Sequence, residues 1–335
     1  MAPRIREGSA IVDATKPDSY TPDLDLVNEA EASILQQEGK LPPRKIVWRN
    51  VILFTYLHIS AIFGIYYAIF HAKWRTLFFA GVFYFFGALG ITAGAHRLWA
   101  HRSYKAKLPL RIFLAICQTI AFQNHIYEWS RDHRVHHKYS ETNADPHNAK
   151  RGLFFSHMGW LLVRKHPDVI AKGRTLDYTD LLKDPVVVIQ KKFYLPFVLL
   201  SCFAIPTVIP HIVWGESLVT SFLVCLLRYT MTLHWTWCVN SLAHMYGNRP
   251  YDKFINPAEN MFVSFWAIGE GFHNYHHTFP MDYSTSEFGW KLNPTTFFLD
   301  IMAYFGQAYD RKKIPLDVVR RRALRTGDPS LRAQQ

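Results

Sequence analysis

Polar and apolar positions are unevenly spread along this chain. Residues 1–45 are polar and charged, carry Pro17, Pro22, Pro42 and Pro43, and begin Met-Ala-Pro-Arg-Ile-Arg-Glu-Gly without an apolar run, so no signal peptide is expected. Four later stretches are apolar enough to cross a bilayer core, which takes about 20 residues as a helix: roughly 47–70, 76–95, 193–213 and 217–239. The connections 71–75 and 214–216 leave room only for tight turns, so each pair reads as an antiparallel hairpin that returns to the side it left. Basic residues gather at the opposite ends: Arg44 and Lys45, then Arg97, Arg102, Lys105, Lys107 and Arg111, then Lys191 and Lys192, then Arg249 and Lys253. By the positive-inside rule both termini and the long middle segment face the cytosol, with Lys73 and Arg75 in the first turn outvoted.

Two further apolar stretches, 108–125 and 261–272, are read as lying in or under the cytosolic interface. Arg111, Gln118, Gln123 and Asn124 interrupt the first, and the second is too short to cross. The expected fold is an all-α integral membrane protein with four transmembrane helices in two hairpins and a cytosolic helical cap. Residues 46–310 form its membrane domain, between the polar segment 1–45 and a basic tail 311–335.

Histidines supply the candidate chemistry. His96 and His101 frame His-Arg-Leu-Trp-Ala-His; His133, His136 and His137 sit in His-Arg-Val-His-His; His273, His276 and His277 sit in His-Asn-Tyr-His-His. A helix turns about 100° per residue, so positions i, i+3 and i+4 share a face and each trio can present its imidazoles to one place. The first pair, five apart, would diverge by about 140° on a regular helix and requires a distorted or interrupted helix end. Imidazole suits zinc, copper, iron and nickel alike. Number narrows the choice, because one zinc takes three or four ligands whereas eight clustered histidines suit two ions. Asn240 and His244, spaced i, i+4 at the end of the fourth span, can reach the same place. Two redox ions in a membrane site point to iron activating dioxygen. The remaining histidines, His58, His71, His125, His157, His166, His211 and His234, read as hydrogen-bonded core residues, and His147 as a turn or supporting residue.

Composition refines this picture at two points. The net charge of +12 does not indicate nucleic acid, since the basic residues flank apolar segments instead of forming one aromatic-interleaved patch. Cys117, Cys202, Cys225 and Cys238 are scattered through apolar stretches and read as buried thiols rather than a disulfide framework.

His-Arg-Leu-Trp-Ala-His-Arg-Ser, His-Arg-Val-His-His-Lys-Tyr-Ser and Gly-Glu-Gly-Phe-His-Asn-Tyr-His-His resemble the three histidine boxes of the membrane fatty acyl-CoA desaturases, the stearoyl-CoA (delta-9) desaturase family. Asn-Ala-Asp-Pro-His-Asn, Gly-Trp-Leu-Leu-Val-Arg-Lys-His-Pro and Asn-Ser-Leu-Ala-His match as well, so the likeness covers about 40 to 310, and the composition is insect-like. The resemblance implies an endoplasmic-reticulum enzyme with two non-haem iron ions. It would introduce a cis double bond into a saturated fatty acyl-CoA, using dioxygen and electrons from cytochrome b5 and its NADH-dependent reductase. It assigns iron ligation to the eight box histidines and His244, with Asn240 acting through water. It assigns CoA contacts to Asn50, Asn124, Arg131, Asp132, Arg164 and Lys165, the bend of the acyl tunnel to Gln123, Trp129 and Thr236, and its far end to Tyr84 and Ala88. The chain departs from the family pattern at Gly-Phe-His in the third box, at Thr-Phe-Pro-Met-Asp-Tyr after it, and at His234 and Trp235, where smaller or polar residues are common. Delta-9 regiochemistry is therefore the default reading. A related di-iron hydroxylase, which would yield an alcohol, and a His-rich membrane metal carrier are the rivals.

Overall fold

The computed structural model describes residues 45–331; the polar segment 1–45 apart from Lys45, and residues 332–335 of the basic tail, lie outside the described residues. The first hairpin is α1 (Trp48–Phe70) and α2 (Trp74–Ala100). A helical layer follows with α3 (Leu108–Ala121), α4 (Ile126–Tyr139) and α5 (Leu153–His157). The second hairpin is α6 (Tyr194–Trp214) and α7 (Leu218–Asn240), the latter continued by one turn, Leu242–Met245. Two short helices, α8 (Met261–Trp266) and α9 (His273–Thr278), come after it. A two-stranded antiparallel ribbon pairs Lys105–Ala106 with Ala308–Tyr309. Among the described residues four helices are long and apolar enough to cross a membrane, as expected.

The spans carry their apolar surface outward. On α1 only Leu57, Ser60, Ala61 and Gly64 are buried, a narrow i, i+3, i+4, i+7 stripe, while Ile52, Ile62, Ile69 and Phe70 stand exposed. That inversion suits lipid rather than water. Gly64 lets α1 approach α7 closely, since a Cβ there would lie 2.6 Å from the Leu223 carbonyl oxygen. The two short turns are tied together. The Lys73 backbone N–H and the Thr76 hydroxyl both donate to Glu216 Oε2, at 2.8 and 2.6 Å, and Lys73 Nζ donates to the carbonyls of Trp214 and Gly215. Lys73, the charge that opposed the flank rule, is thus occupied capping the end of α6.

Inside the bundle, Arg228 on α7 donates to the carbonyls of Ile120 at 3.2 Å and Cys202 at 2.7 Å, joining α3, α6 and α7 by a buried guanidinium. The four cysteines are free and buried, as expected.

Two readings are corrected in α2. The span runs on to Ala100 instead of ending near 95, and Arg97, taken from sequence as a membrane flank, is an interior residue only 1% exposed. Its guanidinium donates to Glu270 Oε1 at 2.8 Å, the Thr296 hydroxyl at 2.9 Å and the Tyr283 carbonyl at 3.0 Å, which is how a charge stays in an apolar run. The last part of α2, Gly90–Ala100, is a π-helix. It begins where α3 crosses so closely that a Cβ on Gly90 would lie 2.1 Å from the Gln118 backbone nitrogen. The basic tail is not wholly solvated: in Leu316–Thr326, Val319 packs with Tyr251 and Tyr275, and Arg322 pairs with Asp252.

Candidate metal centre

The π-helix resolves the awkward spacing of the first histidine pair. An i→i+5 turn brings residues five apart back to one face, and the His101 N–H donates to the His96 carbonyl at 3.0 Å in that pattern. On α4, His133 and His137 are one turn apart, and His136 projects to the other side of His133. The six residues of α9 are too few to be stable alone and are held by the two residues between its histidines. Asn274 Nδ2 donates to the carbonyls of Asp252 and Pro257, at 2.8 and 2.9 Å, and the Tyr275 N–H donates to Glu259 Oε1 at 2.8 Å.

These elements bring all the expected ligands together, in two adjacent sets rather than one. His96, His101, His133, His137 and His276 form the first, and His136, His244, His273 and His277 the second, with the ligand atoms of each set within 4.8 Å of one another. Each trio is therefore divided between the sets, a refinement of the single convergence read from its spacing. In the first set the Nε2 atoms of His101 and His133 are 2.8 Å apart, those of His96 and His276 2.9 Å, and those of His137 and His276 3.0 Å. In the second, His244 and His273 approach to 2.9 Å and His273 and His277 to 3.1 Å. Asn240 lies four residues before His244 and lines the same cavity as His136 and His273.

Carboxylates fix the tautomers. His96 Nδ1 lies 2.9 Å from Glu270, His136 Nδ1 2.9 Å from Asp145, and His244 Nδ1 2.7 Å from Glu141. Each Nδ1–H donates outward, so each Nε2 turns a bare lone pair into the centre. His101, His133, His137, His273, His276 and His277 are all pushed well below the usual imidazole range, first by burial and then by neighbouring imidazoles. Burial alone would raise Glu270, but Arg97 and His96 beside it bring its carboxyl down to about 2. Nine imidazoles converging in two sets, three of them backed by carboxylates, are a donor set that fits two borderline metal cations. His147 belongs to neither set. It stands with His136 and Asp145, its backbone N–H donating to Asp145 Oδ1 at 3.1 Å.

The supporting carboxylates Glu270, Asp145 and Glu141 were not singled out from sequence, although Glu270 and Asp145 stand inside the quoted motifs. Among the lone histidines, His58 Nε2 lies 3.0 Å from His234 Nε2 and His234 Nδ1 lies 2.9 Å from His157 Nε2, partly buried and hydrogen-bonded. The core reading is corrected for His71 and His211, which are exposed at the ends of their helices, His211 bonding to the Glu216 carbonyl.

An apolar cavity enclosing about 620 Å³ of atom-free space, open solvent included, meets the histidines. Tyr84, Ala88, Trp129, Thr236 and Asn240 line it together with His96, His133, His136 and His273. Gln123 Nε2 donates to Thr236 Oγ1 at 2.9 Å, and Trp129, which lines the cavity with Thr236, stacks on His133 with ring centres 4.9 Å apart. Of the polar residues assigned to CoA, Arg131, Asp132 and Lys165 form one ion-pair network. Arg131 pairs with Asp132 at 2.9 Å, Lys165 pairs with Asp132 and with Glu128 at 3.5 Å, and Asn50 Nδ2 donates to the Leu161 carbonyl at 2.7 Å. The Arg164 N–H donates to the Lys45 carbonyl at 2.9 Å, beside Asn50. Asn124 stands apart, in the turn before α4, where its carbonyl accepts from Gln118 at 2.6 Å.

Fold and site together define a multi-pass membrane protein with two histidine sets able to hold metal at the head of an apolar cavity. The chain belongs to the fatty acid desaturase family, whose profile matches residues 72–287. It is 62% identical over 297 residues to the acyl-CoA desaturase of Cyprinus carpio, covering 88% of this chain and 90% of that protein. It is 58% identical over 319 residues to stearoyl-CoA desaturase 5 of Homo sapiens, covering 92% and 96%. With the acyl-CoA Delta-9 desaturase of the insect Acheta domesticus it shares 57% over 308 residues, covering 90% and 86%.

Proposed function

We propose that this chain is an acyl-CoA desaturase of the endoplasmic-reticulum membrane, placing a cis double bond at delta-9 in a saturated fatty acyl-CoA. Residues 46–310 act as the membrane enzyme, with both termini and the site on the cytosolic side and electrons arriving from cytochrome b5 and its NADH-dependent reductase. The observation that carries the reading is the pair of histidine sets opening onto an apolar cavity. When bound, two iron ions supply the capacity to reduce dioxygen to an oxidant strong enough for an unactivated methylene.

In this reading His96, His101, His133, His137 and His276 hold one iron, and His136, His244, His273 and His277 hold the other, with Asn240 contributing through water. Desaturation removes two hydrogens from the chain and, with one dioxygen, two electrons and two protons, releases two waters. The protein's share is confinement. Apolar walls exclude bulk water, while Gln123 hydrogen-bonded to Thr236 and Trp129 stacked on His133 shape the passage beside the ligands. Arg131, Asp132, Arg164, Lys165, Asn50 and Asn124 would grip the CoA head group, so that distance from the thioester selects the carbons that react.

The test is purified protein assayed for metal and product together. Two irons per chain and a new double bond located by mass spectrometry are expected, both lost in His136→Ala. A fully active preparation holding only zinc, or an alcohol as the product, refutes the reading.

A further inference from the structure

Two indoles face each other across the end of the cavity remote from the histidines. Trp235 on α7 and Trp266 at the end of α8 stack with ring centres 4.6 Å apart and planes 5° from parallel, and both line the cavity. Along α2 the lining residues run Tyr84, Ala88, Ile91, Thr92, His96, one helical face read from end to end. At the α-helical rise of about 1.5 Å per residue, and less through the π-helix from Gly90, Ala88 lies up to about 12 Å and Tyr84 up to about 18 Å before His96. The Tyr84 hydroxyl donates to the Trp266 carbonyl, which fixes Trp266 at that remote level. Phe262 meets Trp235 edge-on at 5.7 Å, and Phe265 meets Trp266 edge-on at 5.1 Å. The buried Trp235 indole N–H has no acceptor among the described residues, so stacking rather than a hydrogen bond decides where that ring lies.

We propose that the stacked Trp235–Trp266 pair sets the acyl-chain length this enzyme accepts, by filling space that additional terminal methylenes would otherwise occupy. The inference rests on reading the cavity as the acyl site, and it adds a wall of two rings, contributed by α7 and α8, to the Tyr84 and Ala88 face of α2. Two rigid aromatic planes held edge-on by Phe262 and Phe265 yield less than a flexible side chain, so the limit is sharp. Among the described residues the ring contacts of Trp235 and Trp266 are to each other, Phe262 and Phe265 rather than to the histidines of the two sets, which separates chain length from double-bond position.

The experiment compares myristoyl-, palmitoyl-, stearoyl- and arachidoyl-CoA as substrates for the parent, Trp266→Ala, and the double variant Trp235→Ala with Trp266→Ala. Opening the wall should raise kcat/KM for longer chains relative to shorter ones by about fourfold per methylene newly accommodated, hence about sixteenfold for two. The double bond should remain at the same distance from the thioester. The same order of chain preference should appear in thermal protection of metal-free protein by the four acyl-CoAs, a readout independent of turnover. Trp266→Leu, which keeps an apolar side chain against Phe265, carries the test by the same two measurements if the alanine variants fail to accumulate, with a smaller shift in the same direction. An unchanged chain-length profile in a variant that turns over overturns the proposal. A parent that desaturates none of the four acyl-CoAs overturns the underlying reading of the cavity instead.

Discussion

Glu141→Gln isolates what a supporting carboxylate does for the metal centre. Glu141 accepts from His244 Nδ1 at 2.7 Å, with the histidine side chain 1% and the carboxylate 10% exposed, so little water screens the pair. Its backbone is left-handed, with φ of 64°, and its N–H donates to Asp145 Oδ2 at 3.0 Å, so the turn is held independently of the side chain. Glutamine keeps the size and can keep the acceptor, but removes the charge that makes the imidazole a stronger donor. Loss of such a partner lowers metal affinity about 10- to 100-fold, or about 1.4 to 2.7 kcal/mol, and glutamine belongs at the low end with alanine at the high end. Only the set containing His244 should respond. Equilibrium dialysis of the purified protein against graded chelator, with metal per chain by elemental analysis, should show one ion leaving early in Glu141→Gln and the other leaving with the parent's. Parallel loss of both ions at the parent's chelator concentration would refute the assignment of Glu141 to His244 and to the second set.

Three further outcomes are expected. Burial raises the Glu259 carboxyl to about 8 from 4.5, so its folded pKa exceeds its unfolded one and stability present at low pH is lost as pH rises through that window. Glu259→Gln, whose carbonyl still accepts from the Tyr275 N–H, should match the parent's thermal stability below about 4.5 and exceed it increasingly up to about 8; a constant difference between the two would contradict the cause given. Arg164→Glu should weaken acyl-CoA affinity, with the deficit shrinking at high salt as surface attraction is screened; unchanged affinity removes Arg164 from the CoA site. Tags at either terminus and in the loop around 140–180 should all be reached by antibody in cells whose plasma membrane alone is permeabilised, and lumenal labelling of any one sinks the proposed orientation.

The spans were legible because an apolar run of about 20 residues needs no knowledge of its neighbours. The error at the end of α2 has the opposite origin. Arg97 looks like a flank until its partner is known, and Glu270 lies 173 residues away. The five-residue spacing of His96 and His101 required a distorted helix, and the structure supplies a π-helix, a form that no local residue pattern announced. Convergence of the three clusters also shows why 108–125 and 261–272 could be read as non-crossing. A single extra passage at either one would have set His96 and His101, or His273, His276 and His277, on the far side from the rest.

What the sequence concealed at the site is who holds the histidines in place. Ligand spacing is local, enforced by the turn of α4 and α9, so i, i+3 and i+4 can be read directly. The supporting carboxylates act mostly at a distance. Glu270 precedes the third cluster yet holds His96 of the first, while Glu141 follows the second cluster yet holds His244 after α7; only Asp145, nine residues from His136, serves a neighbour. This crosswise bracing has a physical consequence. Displacing the turn that leads into α9 carries Glu270 away from both His96 and Arg97, leaving a buried guanidinium without its counter-charge, a loss of about 3–5 kcal/mol. The clusters are therefore coupled through their supports as well as through any ion they share, so a change at one cluster is felt at the others.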